Sequence, residues 1–314
     1  MLPSQLSSGD VIADRRADYA KMLAEGGEPA SAGELMEQAL ELVPHWAAGW
    51  FTLATYREKA GDAPGAIAAL NEVLALDAGD VFGARLKLAV LGAVAVPDRP
   101  PSLYVERLFD DYADRFETSL VGKLGYSVPG KLAALIAGTA DISTHFQLAV
   151  DLGCGTGLFG PEIRGRVDRL EGFDLSKGML AKAAEKGVYD HLGQADLSLE
   201  PLLSGVFDAG LAPGRADLIT AADVLMYLGD LHGVMAITRM LAADNAVFAF
   251  SVEDAEHPEG YVLRHSLRFA HSEAYVREVL ADHGFAVQDL ARSIIRMDAG
   301  KPVHGILFIT RKSA

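Results

Sequence analysis

The sequence is poor in cysteine, with one residue, Cys154, in 314. That excludes an internal disulfide and any zinc site built on paired cysteines. No apolar stretch reaches the ~18–20 residues that a membrane span requires. Met1 to Asp10 has neither the basic nor the apolar block of a signal peptide. With the single thiol, this predicts a reducing, cytoplasmic setting. Positive charge is also scarce, with 28 Lys and Arg against 43 Asp and Glu and a net charge of −15. A nucleic-acid partner needs a Lys/Arg surface, so none is expected. His-x-x-x-His spacing and the G-x-S-x-G elbow are missing, so neither a metal site nor a serine hydrolase is predicted. Half of the residues are hydrophobic, enough for two domain cores at this length.

The first ninety-odd residues repeat themselves. Gly27-Glu28 corresponds to Gly61-Asp62, Ala32 to Ala66, Leu40 to Leu74, Leu42 to Leu76 and Pro44 to Ala78, always 34 residues apart. This is the period of the tetratricopeptide repeat, and Trp50-Phe51-Thr52-Leu53-Ala54 through Asp77 resembles that family. The pattern predicts helical hairpins over 12–43 and 46–77 and a capping helix over 80–95. Two units bury little on each other, so the module is expected to lean on the second domain or to self-associate, for instance through Trp46 and Trp50. Val96-Pro97-Asp98-Arg99-Pro100-Pro101 interrupts helix and reads as a hinge. Residues 102–139 then read as helices covering a ligand. The expected domains are 1–96 (repeats), 97–140 (linker and lid) and 141–314 (cofactor-binding).

The densest signal is Val150-Asp151-Leu152-Gly153-Cys154-Gly155-Thr156-Gly157. An apolar strand ends in a carboxylate, and three alternate glycines let backbone N–H groups approach a ligand at a turn into helix. Gly155 to Gly160 also satisfies the dinucleotide pattern G-x-G-x-x-G, with Asp174 placed for a ribose. Asp151 separates the two readings, because a carboxylate there repels a pyrophosphate and attracts a cationic amine. Asp196, in Gly193-Gln194-Ala195-Asp196-Leu197, is a second acid suited to an adenine amino group. Both favour S-adenosylmethionine over NAD. Cys154 reads as a small filler.

From Gln147 the chain alternates strand and helix, with strands expected at 147–151, 169–173, 190–194, 216–221 and 245–251. This predicts an α/β, Rossmann-like parallel sheet. Phe285 to Arg296 and Val303 to Arg311 are joined too closely for a crossover helix, so they should form an antiparallel hairpin. The layout resembles the class I S-adenosylmethionine-dependent methyltransferases. More narrowly it is similar to bacterial methyltransferases with N-terminal tetratricopeptide repeats, through Leu108-Phe109-Asp110-Asp111-Tyr112-Ala113-Asp114-Arg115-Phe116-Glu117, Leu124-Gly125-Tyr126 and Arg268-Phe269-Ala270-His271-Ser272. The resemblance implies a seven-stranded sheet with an antiparallel terminal strand. It also implies that Asp151, Gly153, Gly155 and Gly157 bound the methionine end of the cofactor and that Asp174 takes the ribose hydroxyls. Leu175, Met179, Asp196 and Leu197 would hold the adenine. Ala222 and Asp223 would meet the methionyl amine.

Methyl transfer from a sulfonium is an in-line displacement at an activated carbon. Alignment and exclusion of water can supply about 7–11 kcal/mol, and a base is needed only for an acceptor that keeps its proton. Tyr112 and Tyr126 are candidates for closing over the sulfonium. Tyr227, His265 and His271 are candidate catalytic groups. Arg264, Arg268 and Arg296 are candidates for an anionic acceptor. Each has a plainer alternative. The arginines could pair with Glu253, Asp254 and Glu256; Ser272 could cap a helix beside His271; Asp174 and Asp223 could be caps, Asp196 a turn residue and Met179 core. The sequence thus predicts a soluble methyltransferase for a small molecule. A protein or peptide acceptor docked on the repeats, a non-catalytic nucleotide-binding scaffold and a dinucleotide oxidoreductase stay open.

Overall fold

The computed structural model describes residues 7–117, 125–140, 142, 145–258, 260–298 and 300–313. Leu124 lies outside the described residues. The chain divides into two compact units, Met1–Arg107 and Leu108–Ala314.

The first unit is helical: α1 Val11–Glu25, α2 Pro29–Leu42, α3 Ala47–Lys59, α4 Ala63–Leu76 and α5 Ala84–Val90. Asp10 caps α1 by accepting from the Ile12 and Ala13 N–H groups, and Asp62 caps α4 through the Gly65 N–H. The turns repeat in their hydrogen bonds at the spacing seen in the sequence. Glu28 N–H donates to Leu23 O and Asp62 N–H to Arg57 O, while Val43 N–H donates to Ala39 O and Asp77 N–H to Val73 O. Gly27 and Gly61 both take left-handed φ, +87° and +82°, between the paired helices. Ala32, Ala66, Met36, Leu53 and Leu70 are buried in the shared core, and the small residues let the helices approach closely.

The second unit begins inside α6, Ser102–Tyr112, and continues with α7, Val128–Gly138. The strands are β1 Phe146–Leu152, β2 Val167–Asp174, β3 His191–Gln194, β4 Ala216–Ala221, β5 Ala242–Asp254, β6 Tyr261–Leu263, β7 Phe269–His271, β8 Phe285–Asp298 and β9 Lys301–Lys312. Between them lie α8 Gly160–Ile163, α9 Lys177–Glu185, α10 His232–Leu241 and α11 Glu273–Asp282. Among the described residues the sheet has nine strands where seven were expected. Strands β3-β2-β1-β4-β5 are parallel, and β9 pairs antiparallel with both β5 and β8. The two additional strands are β6 and β7. They pair antiparallel with each other, and β7 runs along the last residues of β5. Three-residue strands carry too little alternation to be read from sequence.

Both faces of the sheet are buried, and alternate residues serve opposite cores. Ile219, Phe248, Phe250 and Phe308 belong to one core; Leu218, Val247, Ala249 and Ile309 belong to the other. Phe248 stacks on Phe250 with ring centroids 4.5 Å apart, and Phe250 on Phe308 at 5.1 Å. The strand order reverses direction between β1 and β4. In open α/β sheets this switch point leaves a crevice at the carboxyl ends of the strands.

Candidate cofactor site

A cleft opens at that switch point. Its volume is about 70 Å³, and it is lined by Phe109, Phe116, Tyr126, Pro129, Asp151, Gly153, Cys154, Gly155, Thr156, Leu158, Phe159, Asp174, Ala222, Asp223, Val224 and Tyr227. The wall is therefore aromatic and acidic: it holds three carboxylates, and among the described residues no Lys, Arg or His lines it.

The glycine loop leaves β1 with Gly153 at φ +67° and Gly155 at +55°. A Cβ on Gly153 would lie 2.4 Å from Val224 Cγ2, so glycine is what lets the loop after β4 close against the loop after β1. Cys154 N–H donates to Phe173 O (2.9 Å) and Gly157 N–H to Cys154 O (2.8 Å), which fixes the turn. Burial pushes the Cys154 thiol above its usual range, so it is an inert wall group.

Asp151 is 1% exposed, and its carboxylate accepts from Tyr189 Oη and Thr220 Oγ1, both at 2.8 Å. Burial pushes it up to about 6 despite those two bonds. Asp174, ending β2, accepts from Gly155 N–H (2.8 Å) and Ser176 N–H (2.9 Å). Desolvation pushes it, too, up to about 6. Ser176 is the cap of α9, accepting from Met179 N–H. Asp223 stands after β4 at φ +60°. It pairs with Arg296 through both oxygens, at 2.8 and 2.9 Å.

Of the residues expected from sequence, Asp151, Gly153, Gly155, Asp174, Ala222, Asp223, Tyr126 and Tyr227 meet at this cleft. Gly157, Leu175, Met179, Asp196, Leu197 and Tyr112 are not among its lining residues. Gly157 backs onto the Tyr189 ring, Met179 is buried and Leu197 belongs to a sheet core. The Leu175 carbonyl accepts from Gln194 Nε2 (2.9 Å), and Asp196 Oδ1 accepts from Ser198 N–H and Oγ. Tyr112 packs edge-on against Phe116 at 5.6 Å.

The arginines and histidines are placed differently from expectation. Arg264 pairs with Glu253 at 3.4 Å, Arg268 with Asp298 at 3.4 Å, and Arg296 with Asp223 and Glu253. Arg264 and Arg296 thus pair with Glu253, one of the acids named in the plainer alternative, whereas Arg268 pairs with Asp298, which that alternative did not name. Arg268 Nε also reaches Tyr227 Oη at 3.3 Å, which connects that arginine to the cleft wall. His265 is exposed in the β6–β7 turn. His271 is fully buried, with Nε2 against Leu228 O (2.9 Å) and Gly229 O (3.0 Å), and burial pushes it down to about 4. Ser272 caps α11 through Tyr275 N–H. Neither histidine lines the cleft.

Sequence reading missed Phe109, Phe116, Thr156 and Val224 in the lining, and the Tyr189–Thr220 clamp on Asp151. The segment carrying the two phenylalanines is tied down at both ends. Asp110 accepts from Ser176 Oγ and from Gly178 N–H (3.0 Å) at the start of α9. Glu117 accepts from Thr156 Oγ1 (2.7 Å) and from Lys186. Among the described residues no group of three or more His, Cys, Asp or Glu could hold a metal, and no helix is long and apolar enough to cross a membrane.

A glycine loop and acids at the switch point of a doubly wound sheet define a protein that binds a nucleoside-containing cofactor. The second step comes from comparison with known proteins. The family described as "Methyltransferase domain" matches residues 128–290. Methyltransferase-like protein 27 of Homo sapiens is 33% identical over 133 residues, 41% of this chain and 53% of that protein. The chain thus spans about half the length of the curated relative it matches. Among solved structures, the [4+2]-cyclase SpnF is similar with a TM-score of 0.54 at 14% identity, over 69% of this chain and 98% of its own. An S-adenosylmethionine-dependent methyltransferase from Mesorhizobium loti gives a TM-score of 0.44 at 20% identity, over 58% and 98%. The structural likenesses speak to fold alone. The chain belongs to the methyltransferase-domain family, and its cofactor is S-adenosylmethionine.

The site suits that cofactor. Asp151 and Asp174, in a cleft that no described Lys, Arg or His lines, would repel a pyrophosphate and favour a ligand carrying an ammonium and a sulfonium. Asp174 oxygens that already accept backbone N–H groups keep lone pairs for ribose hydroxyls.

Proposed function

We propose that this protein transfers a methyl group from S-adenosylmethionine to a small-molecule acceptor, with catalysis mainly by positioning. The observation that carries this reading is the convergence of Asp151, Asp174 and Asp223, with no cationic side chain among the described lining residues, in an aromatic cleft at the switch point. Asp151, Gly153 and Gly155 would hold the methionine end of the cofactor, Asp174 the ribose, and Ala222 and Asp223 the amine. Gly157, Leu175, Met179, Asp196 and Leu197 would complete the nucleoside side. When bound, the cofactor supplies an activated methyl carbon. Phe109, Phe116, Tyr126 and Tyr227 exclude water and orient the acceptor. A cleft volume of about 70 Å³ is below the ~300–1,000 Å³ of ligand pockets, so the Phe109–Phe116 segment acts as a lid that parts for entry. If the acceptor is anionic, Arg268, which touches Tyr227, is the arginine to meet it.

Calorimetric titration tests this reading. S-adenosylhomocysteine should bind and NADH should not. Its ammonium needs ionised carboxylates, so affinity should fall by about tenfold per pH unit, for each linked group, below about 6, where Asp151 and Asp174 take up protons. Binding of NADH in place of S-adenosylhomocysteine would overturn it.

The 34-residue hydrogen-bond repeat favours a second reading, in which the helical unit is a pair of tetratricopeptide repeats that dock a peptide acceptor or a second copy of the chain. Deleting residues 1–96 separates the two. Methylation of a free small molecule should survive the deletion, and methylation of a docked protein should collapse.

A further inference from the structure

Resting on the cofactor reading above, we propose that Arg296 is a positioning residue: from outside the cleft it locks the Ala222-Asp223-Val224 loop in the shape that receives the methionine end of the cofactor. Arg296 sits near the end of β8 with its side chain 2% exposed. Its Nη1 takes both oxygens of Asp223, and its Nη2 takes Glu253, which projects from β5. One guanidinium therefore bridges two carboxylates from two other elements.

What it holds is a strained loop. Asp223 is at φ +60°, a left-handed conformation that aspartate visits only with support. Its N–H donates to Ser251 Oγ at 2.9 Å, a second anchor on β5. The residues on either side face the ligand. Ala222 O accepts from Tyr126 Oη at 3.5 Å, and the Val224 methyls fill the space above Gly153. A rotation of the peptide at Asp223 would thus move two walls of the cleft together. The Asp223 carboxylate is engaged through both oxygens by Arg296 Nη1, so the loop acts on the ligand through its backbone. A lysine ammonium is one nitrogen and cannot place separate donors on Asp223 and Glu253 as Nη1 and Nη2 do.

The test uses the full chain and reads S-adenosylhomocysteine affinity by calorimetry beside the urea midpoint without ligand. Arg296→Lys and Asp223→Asn should each fold cooperatively and weaken binding by about tenfold or more, as loss of a charge-assisted bond implies. Arg296→Gln should weaken it further, and Arg296→Lys should recover part of that loss. Combining Arg296→Gln with Asp223→Asn should cost less than the two effects multiplied, because they break one interaction. If the wild-type chain binds and every folded variant binds within about twofold of it, with only the midpoints lowered, Arg296 is structural and the proposal is overturned while the cofactor assignment stands. If the wild-type chain does not bind, the cofactor assignment falls and this inference falls with it. Should Arg296→Gln not fold, Arg296→Lys and Asp223→Asn decide the matter.

Discussion

Replacing Asp151 by asparagine should make the ligand-free protein more stable and the cofactor complex weaker. The carboxyl moves from an ordinary 3.8 to about 6 on folding, which disfavours its ionised form by about 3 kcal/mol at neutral pH. The sign follows from proton linkage. A carboxyl whose folded value is raised stabilises the fold fully below pH 3.8, and that contribution is lost as pH rises towards 6. Asparagine has no charge to desolvate. Its amide can keep both partners, since the Tyr189 and Thr220 hydroxyls can each donate or accept. Allowing for imperfect bonds, Asp151→Asn should gain about 1–3 kcal/mol at pH 7.5, a rise of roughly 2–10 °C in melting temperature for a domain of this size. Near pH 4 the gain should vanish. Over the same range the variant should lose about tenfold to a hundredfold in S-adenosylhomocysteine affinity at pH 7.5, because the charge that opposes folding is the one that meets the ammonium. Urea unfolding at several pH values and calorimetry check both halves. A variant destabilised equally at pH 4 and 7.5, or one that binds as tightly as the parent, would refute the role assigned to this carboxylate.

Two further outcomes follow from the loop and the lid. Gly153→Ala combines a positive φ with a Cβ placed 2.4 Å from Val224, whereas Gly155→Ala has the positive φ but open space around it. Denaturation should show Gly153→Ala losing more than the ~1–3 kcal/mol of backbone strain that both share; equal losses would contradict the proposed closeness of the two loops. Glu117→Gln should loosen the lid by weakening its bonds to Thr156 and Lys186. The pair is partly exposed, so S-adenosylhomocysteine should leave only about two- to tenfold faster by surface plasmon resonance, and an unchanged rate would remove the latch.

What could be read from sequence was whatever local chemistry enforces. Gly153 and Gly155 announce a left-handed turn that glycine favours, and Asp151 and Asp174 sit at strand ends defined by apolar runs. The paired helices of the first unit follow from a 34-residue repeat whose hydrogen bonds recur in the structure. What could not be read depends on partners far apart in the chain. Tyr189 and Thr220 reach Asp151 across 38 and 69 positions, and Arg296 reaches Asp223 across 73. An arginine among acids suggests an anion site as readily as an internal pair, and only the pairing of β8 with β9, which in turn pairs with β5, decides between them. Tyr189 did leave a trace, a lone aromatic at the lead-in to β3, opposite glycines at 157, 160 and 172 whose missing side chains make room for its ring. Phe109 and Phe116 gave no such sign, because an amphipathic helix shows which face is apolar and not what that face covers.

The charge of the cleft also bears on why the chain tolerates such a cluster. Two acids pushed to about 6 and a third tied to Arg296 are a cost in the ligand-free fold, in a protein already carrying 43 acidic residues against 28 basic ones. The wall could have been neutralised by lysines, yet the two arginines that touch its lining residues, Arg268 and Arg296, are each matched to a carboxylate, Asp298 and Asp223. The net charge left facing the cleft is therefore that of Asp151 and Asp174. Two negative charges at fixed positions, one beside the glycine loop and one at the end of the neighbouring strand, favour a ligand that carries positive charge at one end and sugar hydroxyls at the other. A dinucleotide, with its pyrophosphate between two riboses, would bring its own negative charge to the point where Asp151 stands. On the proposed reading, discrimination comes as much from the repulsion built against phosphate as from attraction to the ammonium.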